Sequence, residues 1–247
     1  MKRNKRAEAF VVFLICVSIL GIILSILFTF YPGGAQDHFE LRKPVVGSTF
    51  CALCLLGILA SIYPRSCSRV FSFDKDAKGQ NASTASESLS LHGHHPSCGK
   101  FSAHVLGAYN RVLCATCTGF SVGAAVSLVG VAMFFFGPVS FGPRPLIPAA
   151  LGVFGVTLGL LHSVLPGFRT GFSRLIASAF FAIGSFLILA SAEDAAHSTS
   201  IDLFIVLSSV LWLITDTAIS RWDHRRICAK CPAALCNLNR SYGGDGF

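Results

Sequence analysis

Six long apolar runs constrain this 247-residue chain more than any other feature. A helix needs about 20 mostly apolar residues to cross a bilayer, and six stretches reach that length. Each is expected to be helical, because hydrocarbon offers backbone amides and carbonyls no other hydrogen-bond partner. The expected spans are roughly Ala9–Phe30, Val45–Tyr63, Gly119–Phe141, Leu146–Leu165, Leu175–Ala192 and Ile201–Ser220. The sequence therefore predicts an all-α membrane protein with about six transmembrane helices.

The composition agrees with this class. Hydrophobic residues make up 53% of the chain, charged residues 13%, and the mean hydropathy is +0.64, values far from those of an average soluble domain. The basic segment Met1–Arg6 resembles the start of a signal peptide, but the apolar run that follows is too long for one and lacks a convincing small-residue cleavage site. We expect an uncleaved first span.

The basic residues predict the orientation. All but three of the 20 Lys and Arg residues fall in the N-terminus, the loops 64–118 and 166–174, and the C-terminal tail. The three exceptions are Arg42, Lys43 and Arg144. The positive-inside rule then predicts a multi-pass protein of the cell membrane with both termini in the cytoplasm. This topology also explains the net charge of +8, so no nucleic-acid partner is expected.

Five segments are expected along the chain. Residues 1–63 form a two-span unit, 64–91 a flexible Ser-rich cytoplasmic linker, 92–118 a small cytoplasmic Cys/His metal-binding module, 119–220 a four-span bundle and 221–247 a cytoplasmic Cys-rich tail. Two pairs of glycines, Gly119/Gly123 and Gly155/Gly159, have the spacing that lets helices approach closely. We expect them to be packing surfaces inside the bundle.

Histidine and cysteine recur at zinc-ligand spacing before the third span. Zinc takes four tetrahedral thiolate and imidazole ligands, often from two short-spaced pairs. The first candidate set is His95, Cys98, Cys114 and Cys117, with His94 as an alternative to His95 and His104 as a weaker candidate. Gly119 is expected to release the second pair into the helix.

The tail offers a second set, which consists of His224, Cys228, Cys231 and Cys236. His224 and Cys228 share one face if the last helix continues past Trp222. The two sets could form two sites or pool their Cys-x-x-C pairs into one, so one or two zinc ions are expected, with an iron–sulfur cluster as the alternative cofactor. Four protein ligands leave no open position, which favours structural over catalytic zinc. Disulfides are not expected in the reducing cytoplasm.

The run His94-His95-Pro96, Cys98 and Cys114-Ala-Thr-Cys-Thr-Gly119 resembles an uncharacterised prokaryotic, often archaeal, family of membrane proteins. Its hallmark is a Cys/His-Pro segment followed by Cys-Ala-x-Cys-Thr-Gly at the start of a membrane helix. The resemblance covers about residues 94–165. It implies a prokaryotic membrane protein and supplies no activity, and many members carry Cys-His where this chain has His94-His95.

Polar residues within the spans are the remaining candidates. Cys51 and Cys54 form a candidate redox pair in the second span, although small packing residues are the simpler interpretation. Asp216 is a candidate intramembrane polar site that could pair with Arg221, Arg174 or His162. Glu193 and Asp194, at the outer end of the fifth span, are expected to be solvated.

Three functions follow from these features. The first is a scaffold, accessory subunit or small transporter with structural zinc, which has the lipid bilayer and other membrane subunits as partners. The alternatives are a membrane redox protein that uses a metal–sulfur centre or the Cys51/Cys54 pair, and a metal transporter or sensor. Because no P-loop, nucleophile elbow or dinucleotide fingerprint occurs, the sequence leaves open whether the protein is an enzyme.

Overall fold

Six helices and one small hairpin are found in the part of the chain that the structure describes. The computed structural model describes residues 2–31, 41–62, 104–108, 111–142, 145–162 and 170–229. In chain order the elements are α1 (Lys2–Phe30), α2 (Arg42–Ile62), β1 (Val105–Ala108), β2 (Arg111–Cys114), α3 (Ala115–Phe135), α4 (Leu146–Leu161), α5 (Gly171–Ala196) and α6 (Thr199–Ala229).

Five of these helices have the length and composition to cross a membrane. They are α1, α2, α3, α5 and α6. Helix α4 is apolar but has only 16 residues, about 24 Å at 1.5 Å per residue, against a hydrocarbon thickness of about 30 Å. The prediction of an all-α membrane protein is confirmed, with a fourth helix shorter than expected and a two-stranded hairpin that was not expected.

Two helices extend beyond the approximate spans expected from the sequence. Helix α3 begins at Ala115, so Cys117 already lies in its first turn and Gly119 in its second. Helix α6 continues nine residues past Ser220, to Ala229, so the start of the expected tail is helical. In both places the helix extends past the apolar run, because backbone hydrogen bonding does not end where hydropathy falls.

The helices alternate in direction. Ser18 in the middle of α1 is hydrogen-bonded to Thr215 in the middle of α6 at 2.8 Å, and Phe28 near the end of α1 packs edge-on against Phe204 near the start of α6. The bundle therefore has two ends. We call the end where α2 and α6 begin the Arg42 end, and the end where α3 and α5 begin and α6 finishes the Cys117 end.

Helix α5 lies at the centre of the bundle and is the most buried of the five long helices. Glycines of α3 and α4 lie in contact with its backbone. On α3, a Cβ at Gly119 would collide with the carbonyl oxygen of Leu175, and one at Gly123 with that of Ala179. On α4, a Cβ at Gly155 would collide with the carbonyl oxygen of Phe180. The prediction that the glycine pairs are packing surfaces within the bundle is confirmed. The core around them combines residues of all six helices, including Ile22, Phe50, Phe134, Val156, Leu189 and Trp212.

Candidate functional site

Cys114 ends the hairpin and Cys117 lies in the first turn of α3. Strands β1 and β2 pair antiparallel with Val105 opposite Cys114, and the helix begins at the next residue, which makes Cys114 its N-cap. Cys114 is buried and Cys117 half-buried. The backbone N–H groups and the positive end of the helix dipole favour negative charge here, so this junction suits thiolate ligands.

The hairpin is docked on the start of α5. A Cβ at Gly171 would lie 2.5 Å from the carbonyl oxygen of Val105, so only glycine lets β1 approach this closely. Thr170 caps α5 by accepting a hydrogen bond from the Ser173 amide. The position of the two cysteines thus depends on the packing of β1 against α5, and not only on the short turn between Cys114 and Cys117.

His104, immediately before β1, belongs to a buried ion-pair cluster. Its Nδ1 lies 3.1 Å from Arg174 Nη1, and its Nε2 lies 3.5 Å from Asp223 Oδ2. Arg174 Nη2 also donates to Asp223 at 3.3 Å. An imidazole protonated on Nε2 satisfies both contacts. Because charged partners face both ring nitrogens, this geometry gives no support to His104 as a metal ligand.

Helix α6 brings His224 to the same end. Its ring centroid is 5.0 Å from that of His104. Because α6 runs to Ala229, His224 and Cys228 lie one turn apart on one helical face, as required for the second candidate set. For Cys228 the described part of the chain includes the backbone alone.

Neither candidate metal set lies wholly within the described residues. His94, His95, Cys98, Cys231 and Cys236 fall outside them, as does the linker 64–91. Within the described ranges, no group of three or more His, Cys, Asp or Glu side chains has a metal-binding arrangement. Both zinc sites therefore remain predictions. Cys114 and Cys117 are the described members of the first predicted ligand set, and His224 is a described member of the second.

Asp216 and His162 approach each other within the bundle. His162 Nδ1 is 4.0 Å from Asp216 Oδ1, and the two side chains are 1% and 13% exposed. The same nitrogen contacts the carbonyl oxygen of Gly159. Arg174, an alternative partner expected for Asp216, instead pairs with Asp223.

The Arg42 end contains a cluster that the sequence did not reveal. Arg42 Nη2 donates to Glu193 Oε1 at 2.5 Å, and Arg42 Nε lies 3.8 Å from Asp202 Oδ2. Asp194 accepts hydrogen bonds from the Ser140 hydroxyl and the Phe141 amide. All four charged residues are buried. The expectation that Glu193 and Asp194 are solvated was wrong, because Arg42 and the segment after α3 cover them.

The cysteines of the second span lie in a packed environment. Cys54 is buried in the apolar core and Cys51 packs against it. No disulfide joins them. The two residues are three positions apart on one helix. The apolar neighbours of Cys54 favour a packing role for this pair.

The chain is similar to one curated protein, "Membrane protein NfeD1b" of Bacillus subtilis (strain 168). The identity is 34% over 96 residues, which is 38% of this chain and 22% of that protein; the match thus spans about a fifth of the relative's length. No protein-family model matches the chain, and no solved structure matches it significantly. Together with the five helices of spanning length, the likeness identifies the chain as an integral membrane protein.

Proposed function

We propose that the protein is a membrane scaffold or accessory subunit whose Cys117 end is held together by structural zinc. The observation that carries this proposal is the β2–α3 junction, which places Cys114 and Cys117 one turn apart at a helix N-terminus. A C-x-x-C pair in this position supplies half of a tetrahedral site. We expect His95 and Cys98 to supply the other half.

The second half of the proposal concerns the tail. His224 lies on the final turns of α6, at the same end of the bundle as Cys114 and Cys117, and Cys228 follows one turn later on the same face. These residues would hold a second zinc ion with Cys231 and Cys236. In both sets four protein ligands leave no position for water or substrate, so the ion would fix chain segments to one another.

The proposed orientation supports reduced thiols at this end. The start of α1, with its Lys and Arg residues, lies at the Cys117 end, together with Arg174, Arg221, Arg225 and Arg226. The positive-inside rule would place this end in the cytoplasm, where cysteines remain available as metal ligands.

A scaffold fits the packing of the bundle better than a wide transport path. Glycines bring α3 and α4 into backbone contact with α5, and Arg42 is buried together with the carboxylates at the opposite end. The name of the Bacillus relative specifies a membrane protein and no reaction. The Cys-Ala-Thr-Cys-Thr-Gly resemblance likewise points to a membrane family without an assigned activity.

Elemental analysis of the detergent-purified protein tests the proposal. We expect one or two zinc ions per chain and no visible absorbance in the wild type, with loss of zinc in Cys114→Ser and in Cys117→Ser. The matched control is Cys16→Ser, because Cys16 lies exposed on the surface of α1 and should leave the zinc content unchanged. Iron together with broad visible absorbance would refute the zinc proposal in favour of an iron–sulfur cluster. Absence of metal from freshly reduced wild-type protein would refute any metal site.

A further inference from the structure

One face of α6 carries a polar residue at every seventh position, namely Asp202, Ser209, Asp216 and Asp223. Seven residues are about two turns, or about 10.5 Å of helix. Each aspartate faces a base from a different part of the bundle: Asp202 faces Arg42 of α2, Asp216 faces His162 at the C-cap of α4, and Asp223 faces Arg174 of α5.

The three pairs differ in the chemistry of the base. A guanidinium remains protonated in proteins, so the pairs of Arg42 and Arg174 have no proton to exchange through the base. An imidazole gains and loses a proton in the physiological range. The pair of His162 and Asp216 is also the one that lies within the apolar part of the bundle, two turns inside Asp223.

Unsatisfied polar atoms occur in this pair and, by helix register, at the same level on α5. Among the described residues, Asp216 Oδ1 and Ser178 Oγ are buried and make no hydrogen bond. The packing of Gly152 on Ile188 and of Gly159 on Phe181 sets an antiparallel register of α4 on α5, and this register places Ser178 at the level of His162. Unpaired buried polar atoms are costly, and uptake of a proton by the Asp216 carboxyl lowers that cost. His162 Nδ1, which contacts the Gly159 carbonyl oxygen, lies 4.0 Å from Asp216 Oδ1, close enough for the charge of each group to affect the other.

The net charge of the pair depends on the number of protons that it holds. With one shared proton, on either the carboxyl or the imidazole, the pair is neutral; without it the net charge is −1, and with two protons it is +1. An uncompensated charge inside a bilayer is expensive. We propose that His162 and Asp216 form an intramembrane proton-binding site that exchanges its proton with the Cys117 end.

The neighbours of Asp216 on α6 indicate the direction of exchange. One turn toward the Cys117 end the same face carries Ser220, followed by Asp223; one turn the other way it carries the fully buried Trp212 and the apolar Leu213. The elements around the site carry other charged or titratable groups. On α5 they are Arg174, Glu193 and Asp194; on α6 they are Asp202, Arg221, Asp223, His224, Arg225 and Arg226; on α1 they include the exposed Glu8 and Cys16. This proposal does not depend on zinc.

Infrared spectroscopy of vesicle-reconstituted protein with isotope-labelled aspartate tests the site. Between about pH 5 and 8, we expect a titrating signal from a labelled carboxyl that disappears in Asp216→Asn and persists in the matched controls Asp202→Asn and Asp223→Asn. His162→Gln should move its midpoint by at least about one pH unit, a tenfold change in proton affinity. Ser220→Leu should slow the spectral change after a pH jump without moving the midpoint.

Three outcomes would overturn the proposal. They are a wild-type spectrum without a titrating signal, a signal retained in Asp216→Asn, and a midpoint unaffected by His162→Gln. An unchanged rate in Ser220→Leu would overturn the assigned entrance. Should Asp216→Asn fail to fold, spectra of the wild type with isotope-labelled histidine, assigned by comparison with His162→Gln, report the same proton directly.

Discussion

The two ends of the bundle use arginine in different settings. At the Arg42 end, Arg42 lies between Glu193 and Asp202, and the side-chain exposure of the three is at most 8%. At the Cys117 end, Arg174 pairs with Asp223, which is 16% exposed, and with His104. The first cluster joins three helices through one arginine and two carboxyls, with the His197 ring 3.3 Å from Arg42 Nη2. The second joins the hairpin to α5 and α6 at the end that also carries Cys114, Cys117 and His224. The two ends therefore differ in how deeply their ion pairs are buried.

Replacement of Arg42 should have the largest effect. Arg42→Met leaves Glu193 and Asp202 buried without their cation, and loss of one partner of a buried pair costs about 3–5 kcal/mol. Equilibrium unfolding in mixed detergent micelles measures this loss. Lys43→Met is the matched control, because the Lys43 ammonium lies over the Phe134 ring, 5.3 Å from its centroid, and such contacts contribute about 0.5–1 kcal/mol. Equal losses of unfolding free energy in the two variants would show that the buried ion pairs do not stabilise the Arg42 end.

Crowding at the Cys117 end should have the next largest effect. A Cβ at Gly119 would collide with the backbone of Leu175, so Gly119→Ala must push α3 away from α5, at about 2–3 kcal/mol by analogy with overpacked cores. Gly107→Ala introduces the same methyl group at a position with nothing within 4 Å and should be close to neutral. If both variants unfold alike, the close approach of α3 to α5 is not required.

Replacement of Arg174 should cost less than replacement of Arg42. The pair of Arg174 and Asp223 lies at the edge of the bundle, so Arg174→Met is expected to lose about 1–2 kcal/mol, between the values for surface and buried pairs. The same unfolding measurement applies, with Arg225→Met as a control on an exposed side chain. A loss equal to that of Arg42→Met would remove the distinction between the two ends.

Sequence reasoning recovered the helices but not the contacts between distant segments. Apolar runs predicted the class, the six apolar helices and the packing role of Gly119, because these follow from hydropathy and local spacing. The cluster of Arg42 and Glu193 joins residues 151 positions apart. Only the fold brings them together, so the acidic pair at the end of α5 gave no signal of burial.

The hairpin has a local sequence signal. Val105–Ala108 and Arg111–Cys114 are short runs rich in apolar residues, separated by Tyr109 and Asn110, a pattern typical of a tight hairpin. Its recognition would have predicted that Cys114 ends a strand and caps a helix. By contrast, the approach of His162 to Asp216 depended on helix depth, which the spans specify only within several residues.

We propose that zinc stabilises the Cys117 end and that buried ion pairs stabilise the Arg42 end. Hydrogen exchange of the reconstituted protein, before and after a zinc chelator, tests it most directly. We predict faster exchange in β1, β2 and the first turn of α3, with unchanged protection in the last turn of α5 and the first turn of α6. Equal effects at both ends, or no effect at either, would contradict the account.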